Sequence, residues 1–137
     1  MATIRQLIDE QAAARPDAPF LLAPEADATV TYAEFRAIAR GLAAELATHA
    51  IRPGDVVSYM LPNGISAASV LLGAMYGGYV VSPVSLVAQD AQIEYTLAHS
   101  GARIVFAVPE EVARLRHVVA RAGSGAIVRP TPPDGLA

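Results

Sequence analysis

Hydrophobic and polar residues follow one another along the chain in blocks that predict helices and strands in turn. Thr3 is placed to cap a first helix that ends near Arg15. Two short strands, "PFLLAP" and "ATVTY", follow around the polar turn "EAD". Residues 31–34, "TYAE", have the form of a capping box, in which a threonine hydroxyl and a glutamate carboxylate bond free backbone donors. They predict the start of a second helix with one apolar face: Phe35, Ile38, Leu42 and Leu46.

The second half of the chain continues this alternation. The turn "RPGD" leads into the strand "VVSYML", and Asn63 is then placed to cap the apolar helix "GISAASVLLGAMY". A strand over "YVVS", a helix over "AQDAQIEYTLAHSGA" closed by Gly101, and the strand "RIVFAV" come next. Pro109 then begins a last helix, whose apolar face carries Val112, Leu115 and Val119.

Residues 56–89 carry no charged side chain, which raises the question of a membrane span. A spanning helix needs about 20 consecutive apolar residues, whereas Gly77, Gly78 and Pro83 divide this run. The residues after the two glycines are aromatic and β-branched, which favours a strand over a continuing helix. We therefore predict that the run is the buried centre of a domain and that the chain has no membrane span.

Strands that are apolar on both faces and are separated by helices predict a mainly parallel sheet with helices on each side. The predicted fold class is therefore a layered α/β fold. Residues 1–122 are predicted to form one α/β subdomain. Residues 123–137 are rich in Gly and Pro and are predicted to form a tail or truncated connection with at most one short strand, "AIV".

Composition narrows the classes of function. Charged residues make up 17% of the chain, against a usual share of about 25%. The net charge of −3 provides no basic surface for a phosphate backbone, so we predict no nucleic-acid partner. The chain has no Cys and no Lys, so a thiolate metal site, a disulfide and a Walker A lysine are excluded. The N-terminus lacks the pattern of a secretory signal, which predicts a cytoplasmic protein.

Ligands in a doubly wound sheet usually bind beyond the carboxyl ends of the strands. The loops predicted there are "LPNG", "SPVSLVAQD" and "VPEE". "LPNG" opens a helix and is either a place for an anion or an ordinary turn with an asparagine cap. It lacks the spaced glycines of a dinucleotide fingerprint, which disfavours a Rossmann-type cofactor domain.

The remaining polar residues have structural explanations. Three histidines lie in separate segments without metal-binding spacing: His49, His99 and His117. Five serines lack the Gly-x-Ser-x-Gly pattern and are predicted to be packed small residues: Ser58, Ser66, Ser69, Ser82 and Ser85. Two tyrosines are predicted to be core aromatics with bonded hydroxyls: Tyr76 and Tyr79. Three arginines are predicted to form a solvated helix face: Arg114, Arg116 and Arg121. We assign no catalytic residue and no metal ligand, and the cofactor-binding residues are unknown.

The order and spacing of these segments resemble the N-terminal region of the adenylate-forming enzymes: acyl-CoA synthetases, aryl-CoA ligases, luciferases and peptide-synthetase adenylation domains. "VTYAEFRAIARGLAAEL" is similar to a helix of that family, and "IRPGDVVSYMLPNG" to the strand and turn that follow it. "LLGAMYGGYVVSPVSLVAQDAQIEYTLAHSGARIVFA" resembles the next segment of the family. The resemblance covers residues 4 to about 120.

The resemblance implies a two-step reaction for the parent enzyme, in which a carboxylate attacks ATP and a thiol, usually that of CoA, then displaces AMP. It implies ATP, Mg²⁺ and CoA as cofactors, a carboxylic acid such as a fatty or aromatic acid as substrate, and the remainder of the enzyme as partner. The catalytic segments of the family lie further along. The resemblance therefore implies an N-terminal fragment of an acid–CoA ligase that binds no cofactor and is inactive alone.

Two further expectations accompany the resemblance. Many members have Asn-Pro-Arg where this chain has Ser85, Leu86 and Val87, so a phosphate contact made by that arginine is not carried over. Apolar surface that the rest of an enzyme would cover predicts self-association. The alternative interpretation is a stand-alone, non-catalytic α/β module with an interaction or regulatory role.

Overall fold

A computed structural model describes residues 2–136 of the chain. Its first half contains one hairpin between two helices: α1 (Ile4–Ala14), β1 (Pro19–Ala23), β2 (Ala28–Thr31) and α2 (Tyr32–Thr48). Its second half alternates strands and helices: β3 (Val56–Met60), α3 (Ile65–Gly77), β4 (Val80–Pro83), α4 (Asp90–Ser100), β5 (Ile104–Ala107), α5 (Val112–Ala122) and β6 (Ile127–Pro130). The elements follow the predicted order.

Local sequence sets the start of the two N-terminal helices. The Thr31 hydroxyl accepts a hydrogen bond from the Glu34 amide at 3.2 Å, and the Glu34 carboxylate accepts one from the Thr31 amide at 2.9 Å. The capping box predicted at 31–34 is therefore confirmed. The hydrogen bond that the Glu34 carboxylate accepts from the Thr31 amide is the main cause that holds the pKa of Glu34 below its usual value. Thr3 and Gln6 form the equivalent box at the start of α1.

Strands β3 to β6 form one parallel sheet in the order β4-β3-β5-β6, while β1 and β2 pair as an antiparallel hairpin. Alternate residues of β5 face opposite sides of the sheet. Phe106 packs in the cluster with residues of α2 and α3, whereas Val105 packs in the cluster with residues of α4 and α5. Helices therefore cover both faces, and the predicted α/β fold class is confirmed.

The charge-free run contributes the centre of this core. Val57 on β3 and Val70 and Ala74 on α3 have no solvent exposure. Gly78 ends α3 in the left-handed conformation, with φ of 83°, and the chain then enters β4. None of the helices in residues 2–136 is long and apolar enough to cross a membrane.

The short strand predicted at "AIV" is present as β6, which pairs with β5 at the edge of the sheet. The residues after it pack against the same body. Thr131 is completely buried and Leu136 contacts the cluster beneath α2 and α3. The sheet thus continues past residue 122, and the division of the chain at that residue stays a prediction.

Two glycines give a paired test of the backbone. Gly101 ends α4 with φ of 69°, as its predicted role as a closing residue requires. We expect Gly101→Ala to lower the free energy of unfolding by about 1–2 kcal/mol, because a side chain opposes that conformation. Gly41 lies inside α2, where an added Cβ would meet no atom within 4 Å. Gly41→Ala should therefore raise the free energy of unfolding by about 0.5–1 kcal/mol. Urea denaturation measures both changes, and a shift of the same sign in both variants would contradict these assignments.

Candidate functional site

The four parallel strands of the sheet end at one edge, where the three predicted ligand loops and the C-terminal segment meet. The loop after β3 is "LPNG", in which Leu61 is buried and Asn63 is exposed. The prediction that Asn63 caps α3 is wrong. Gly64 is the N-cap residue, in an extended conformation with φ of 164°, and no side chain caps the helix. The helix begins one residue later than the asparagine cap would require.

The C-terminal segment satisfies this helix end instead. The Ser66 amide, in the first turn of α3, donates to the Pro133 carbonyl oxygen at 3.2 Å. The Ser66 hydroxyl donates to the Pro132 carbonyl oxygen and accepts from the Gly135 amide at 2.9 Å. A Cβ at Gly64 would lie 3.0 Å from the Pro133 carbonyl oxygen, so a larger residue would push this carbonyl away from the helix end.

The surface beside this helix end carries negative charge. A pocket of about 250 Å³ between the hairpin and the turn is lined by Glu25 and Asn63 among apolar residues of β1. A smaller neighbouring pocket is lined by Glu25 and Asp134. Two carboxylates and a carbonyl oxygen oppose an anion at this end of α3. The residues present therefore do not fit the phosphates of ATP here, and the anion interpretation of "LPNG" is disfavoured.

The loop after β4 presents apolar side chains to solvent. The Ser85 hydroxyl accepts a hydrogen bond from the Val87 amide at 3.2 Å. The side chain of Val87 is 89% exposed and that of Leu86 is 42% exposed. A pocket of about 410 Å³ lies beneath this loop, against α4. Apolar groups exposed in this way are typical of a surface that another molecule or segment covers.

Arg114 of α5 fixes the base of this loop. Its guanidinium donates to the Asp90 carboxylate at 2.6 Å, to the Ala88 carbonyl oxygen at 2.6 Å and to the Glu111 carboxylate at 3.1 Å. The hydrogen bonds to Asp90 and Glu111 raise the pKa of Arg114. The prediction of a solvated face is therefore wrong for Arg114, whose partners come from the two other loops at this edge. Arg116 is exposed, as predicted.

A second arginine ties β6 to α2. The Arg129 guanidinium donates to the two carboxylate oxygens of Glu45 at 2.7 and 2.9 Å, and its central carbon lies 5.3 Å from the centre of the Phe106 ring. The hydrogen bond from Arg129 holds the pKa of Glu45 below its ordinary value. This two-pronged ion pair joins an edge strand to the helix layer.

The structure does not bring the other polar residues together. The histidines are exposed, His49 directly after α2, His99 on α4 and His117 on α5, and no group of three potential metal ligands occurs in residues 2–136. Ser58 and Ser69 are fully buried with no partner for their hydroxyls.

The Tyr76 hydroxyl donates to the Asp9 carboxylate at 2.6 Å. Burial and the charge of Asp55 raise the pKa of Tyr79, which packs in the core as predicted.

Two features of this edge have no signal in the sequence. Ser66 is a packed small residue, as predicted, but it is also the contact point for the C-terminal segment. Glu45 and Arg129 lie 84 residues apart. The sequence around a serine in an apolar helix, or around an arginine in a short strand, does not indicate which distant residue it will bond.

Known proteins are similar to this chain in sequence and in fold. A sulfoacetate–CoA ligase from Cupriavidus necator H16 is 39% identical over 132 residues, which cover 96% of this chain and 26% of that enzyme. The uncharacterized protein Rv1549 from Mycobacterium tuberculosis is 30% identical over 114 residues, which cover 83% of this chain and 65% of that protein. The chain thus spans about a quarter of the ligase.

A solved structure and a family model agree with these relatives. The N-terminal domain of FACL13 from Mycobacterium tuberculosis has the same fold, with a TM-score of 0.84 and 22% identity over 95% of this chain and 34% of that one. The family model described as "AMP-binding enzyme" matches residues 8–133. The resemblance to adenylate-forming enzymes is confirmed. The chain belongs to the AMP-binding enzyme family.

Proposed function

We propose that this chain is the N-terminal part of an ATP-dependent acid–CoA ligase and serves that enzyme as a scaffold. The observation that carries the proposal is the alignment with sulfoacetate–CoA ligase, which includes nearly all of this chain and about a quarter of the ligase. The parent enzyme joins a carboxylic acid to ATP, releases pyrophosphate, and transfers the acyl group from AMP to the thiol of CoA. Its residues for ATP, Mg²⁺ and CoA lie outside these 137 residues.

The chemistry of the chain itself supports a scaffold role. It has no lysine to bind a phosphate, and its helix end at Gly64 faces a carbonyl oxygen and two carboxylates. We assign no catalytic residue and no cofactor to this span. Residues 1–122 form the subdomain in this proposal, and 123–137 connect it to the remaining enzyme. The place of action is the cytoplasm.

The exposed apolar groups at one edge of the sheet support the proposal that a partner covers this edge. β4 pairs only with β3 among the described strands, and Val80 on it is 51% exposed. Leu86 and Val87 in the loop after β4 also expose apolar surface, which is costly to leave in water. In this proposal the remainder of the ligase covers that surface, and the isolated chain associates with itself through it.

One observation favours a second candidate function. The relative Rv1549 aligns with this chain over 65% of its own length, so a protein not much longer than this chain exists in the family. The alternative is accordingly a non-catalytic α/β module that binds a partner through the same apolar edge.

The test is to express the complete reading frame that contains this chain and assay it with ATP and CoA. A panel of acids should include sulfoacetate, an aromatic acid and a long-chain fatty acid. We expect AMP and a thioester to form with at least one acid. A reading frame that ends at Ala137, or a longer protein inactive with every acid, would favour the module.

A further inference from the structure

The C-terminal segment 131–135 passes over the N-terminal end of α3 and is held at both of its ends. At its base, the Thr131 amide donates to the Ala107 carbonyl oxygen at 2.7 Å, and the Thr131 side chain is completely buried. At its tip, the Gly135 amide donates to the Ser66 hydroxyl at 2.9 Å. The three residues between these anchors therefore cannot leave α3 without breaking one of the two hydrogen bonds.

The composition of the segment suits this position. Pro132 and Pro133 have no amide donors, and their rings fix the backbone angle φ near about −65°. Both of their carbonyl oxygens accept hydrogen bonds from Ser66, one from its hydroxyl and one from its amide. A proline pair loses little conformational freedom when it is ordered. The segment thus supplies one acceptor to a free backbone amide of the helix end and one to the Ser66 hydroxyl.

We propose that residues 131–135 form a strap that closes the N-terminal end of α3 to outside anions, with Ser66 as its clasp. The Pro133 carbonyl occupies the position that an anion would take at the Ser66 amide, and Asp134 brings a carboxylate to the adjoining pocket. The strap is made of contacts within this chain, so it does not depend on the ligase proposal.

The clasp can be tested by native-state amide hydrogen exchange on Ser66→Ala, with Ser69→Ala as the matched control. Both serines are fully buried on α3, but only the Ser66 hydroxyl has partners. We expect Ser66→Ala to speed exchange at the Gly135 amide by about tenfold, while the amides of β5 keep the native rate. Ser69→Ala should leave Gly135 unchanged. Equal effects of the two variants, or no change in Ser66→Ala, would overturn the proposal.

A second pair of variants leaves α3 itself untouched. Gly135→Pro removes the amide that donates to Ser66, whereas Gly135→Ala keeps it and has space for the methyl group. Exchange at the Ser66 amide should rise by about tenfold only in the proline variant. If both variants behave alike, the strap is not held by this hydrogen bond.

Inorganic phosphate tests the closure directly. In the native chain, titration with phosphate should leave the amide resonance of Ser66 unmoved, because the Pro133 carbonyl already accepts its hydrogen bond. A saturable shift of that resonance in the native chain would contradict a closed helix end.

Discussion

Phe106→Ala is expected to lower the free energy of unfolding by about 3–5 kcal/mol, which is a large part of the stability of a typical domain. Phe106 lies on β5, a central strand, with Tyr59 of β3 and Arg129 of β6 as its neighbours in register. Its side chain has no solvent exposure. Truncation removes apolar contacts with the layer of α2 and α3. It also leaves a cavity that the packed sheet and helices cannot close.

Urea denaturation, followed by far-UV circular dichroism, measures this loss. Tyr95→Ala is the matched control, since it also removes an aromatic ring, but from a side chain that is 64% exposed on α4. We expect the control to change the unfolding free energy by less than about 0.5 kcal/mol. A loss below about 1 kcal/mol in Phe106→Ala would mean that the ring is not buried between sheet and helices.

Glu45→Gln is expected to lower the unfolding free energy at neutral pH by about 1–2 kcal/mol, because it weakens the charge-assisted hydrogen bonds from Arg129. The effect should depend on pH. In the folded state the pKa of Glu45 lies below its ordinary value of 4.5. The stability that its carboxylate contributes is therefore present above that value and is lost as the pH falls through the lower, folded-state pKa.

The stability difference between the native chain and Glu45→Gln should thus be constant near neutral pH and shrink below about pH 4. Glu94→Gln is the matched control. Glu94 also pairs with an arginine, but at 3.5 Å from an Arg121 side chain that is 56% exposed. An exposed pair of this kind contributes about 0–1 kcal/mol. A difference for Glu45→Gln that stays constant down to pH 3, or one no larger than the control's, would contradict the role of the Arg129 pair.

The sequence predicts those features whose causes are local. Residues 31–34 carry their own capping box, and Gly101 lies where α4 ends in a left-handed backbone conformation. The charge-free run predicts a buried helix and strand because apolar residues on every side of an element require cover on every side. These features follow from the chemistry of neighbouring residues, so one sequence is enough to find them.

The features that the sequence does not predict depend on distant partners. Asn63 fits the pattern of a cap, but the helix end is bonded by the distant Pro133 carbonyl, which accepts from the Ser66 amide. Arg114 fits the pattern of a solvated face, but Asp90 and the Ala88 carbonyl lie beside it only after α4 and α5 pack together. The periodicity of the sequence shows which face of a helix is polar. It does not show which groups from other elements this face contacts in the folded chain.

The same distinction applies to the candidate site. A parallel sheet indicates which edge to examine, and the loops do meet there. Whether that edge binds a phosphate depends on charges brought in from other segments, here the carboxylates of Glu25 and Asp134. Their approach to the "LPNG" turn could not be read from the turn itself.

Acid-dependent exchange of radioactive pyrophosphate into ATP detects the adenylation step without CoA, and so shows whether this chain is a non-catalytic part of a ligase. The purified 137-residue chain and the product of its complete reading frame should be assayed side by side with the same panel of acids. We predict no exchange by the chain alone and exchange with at least one acid by a longer product. Acid-dependent exchange by the isolated chain would contradict the scaffold role, because the catalytic groups would then lie within these residues.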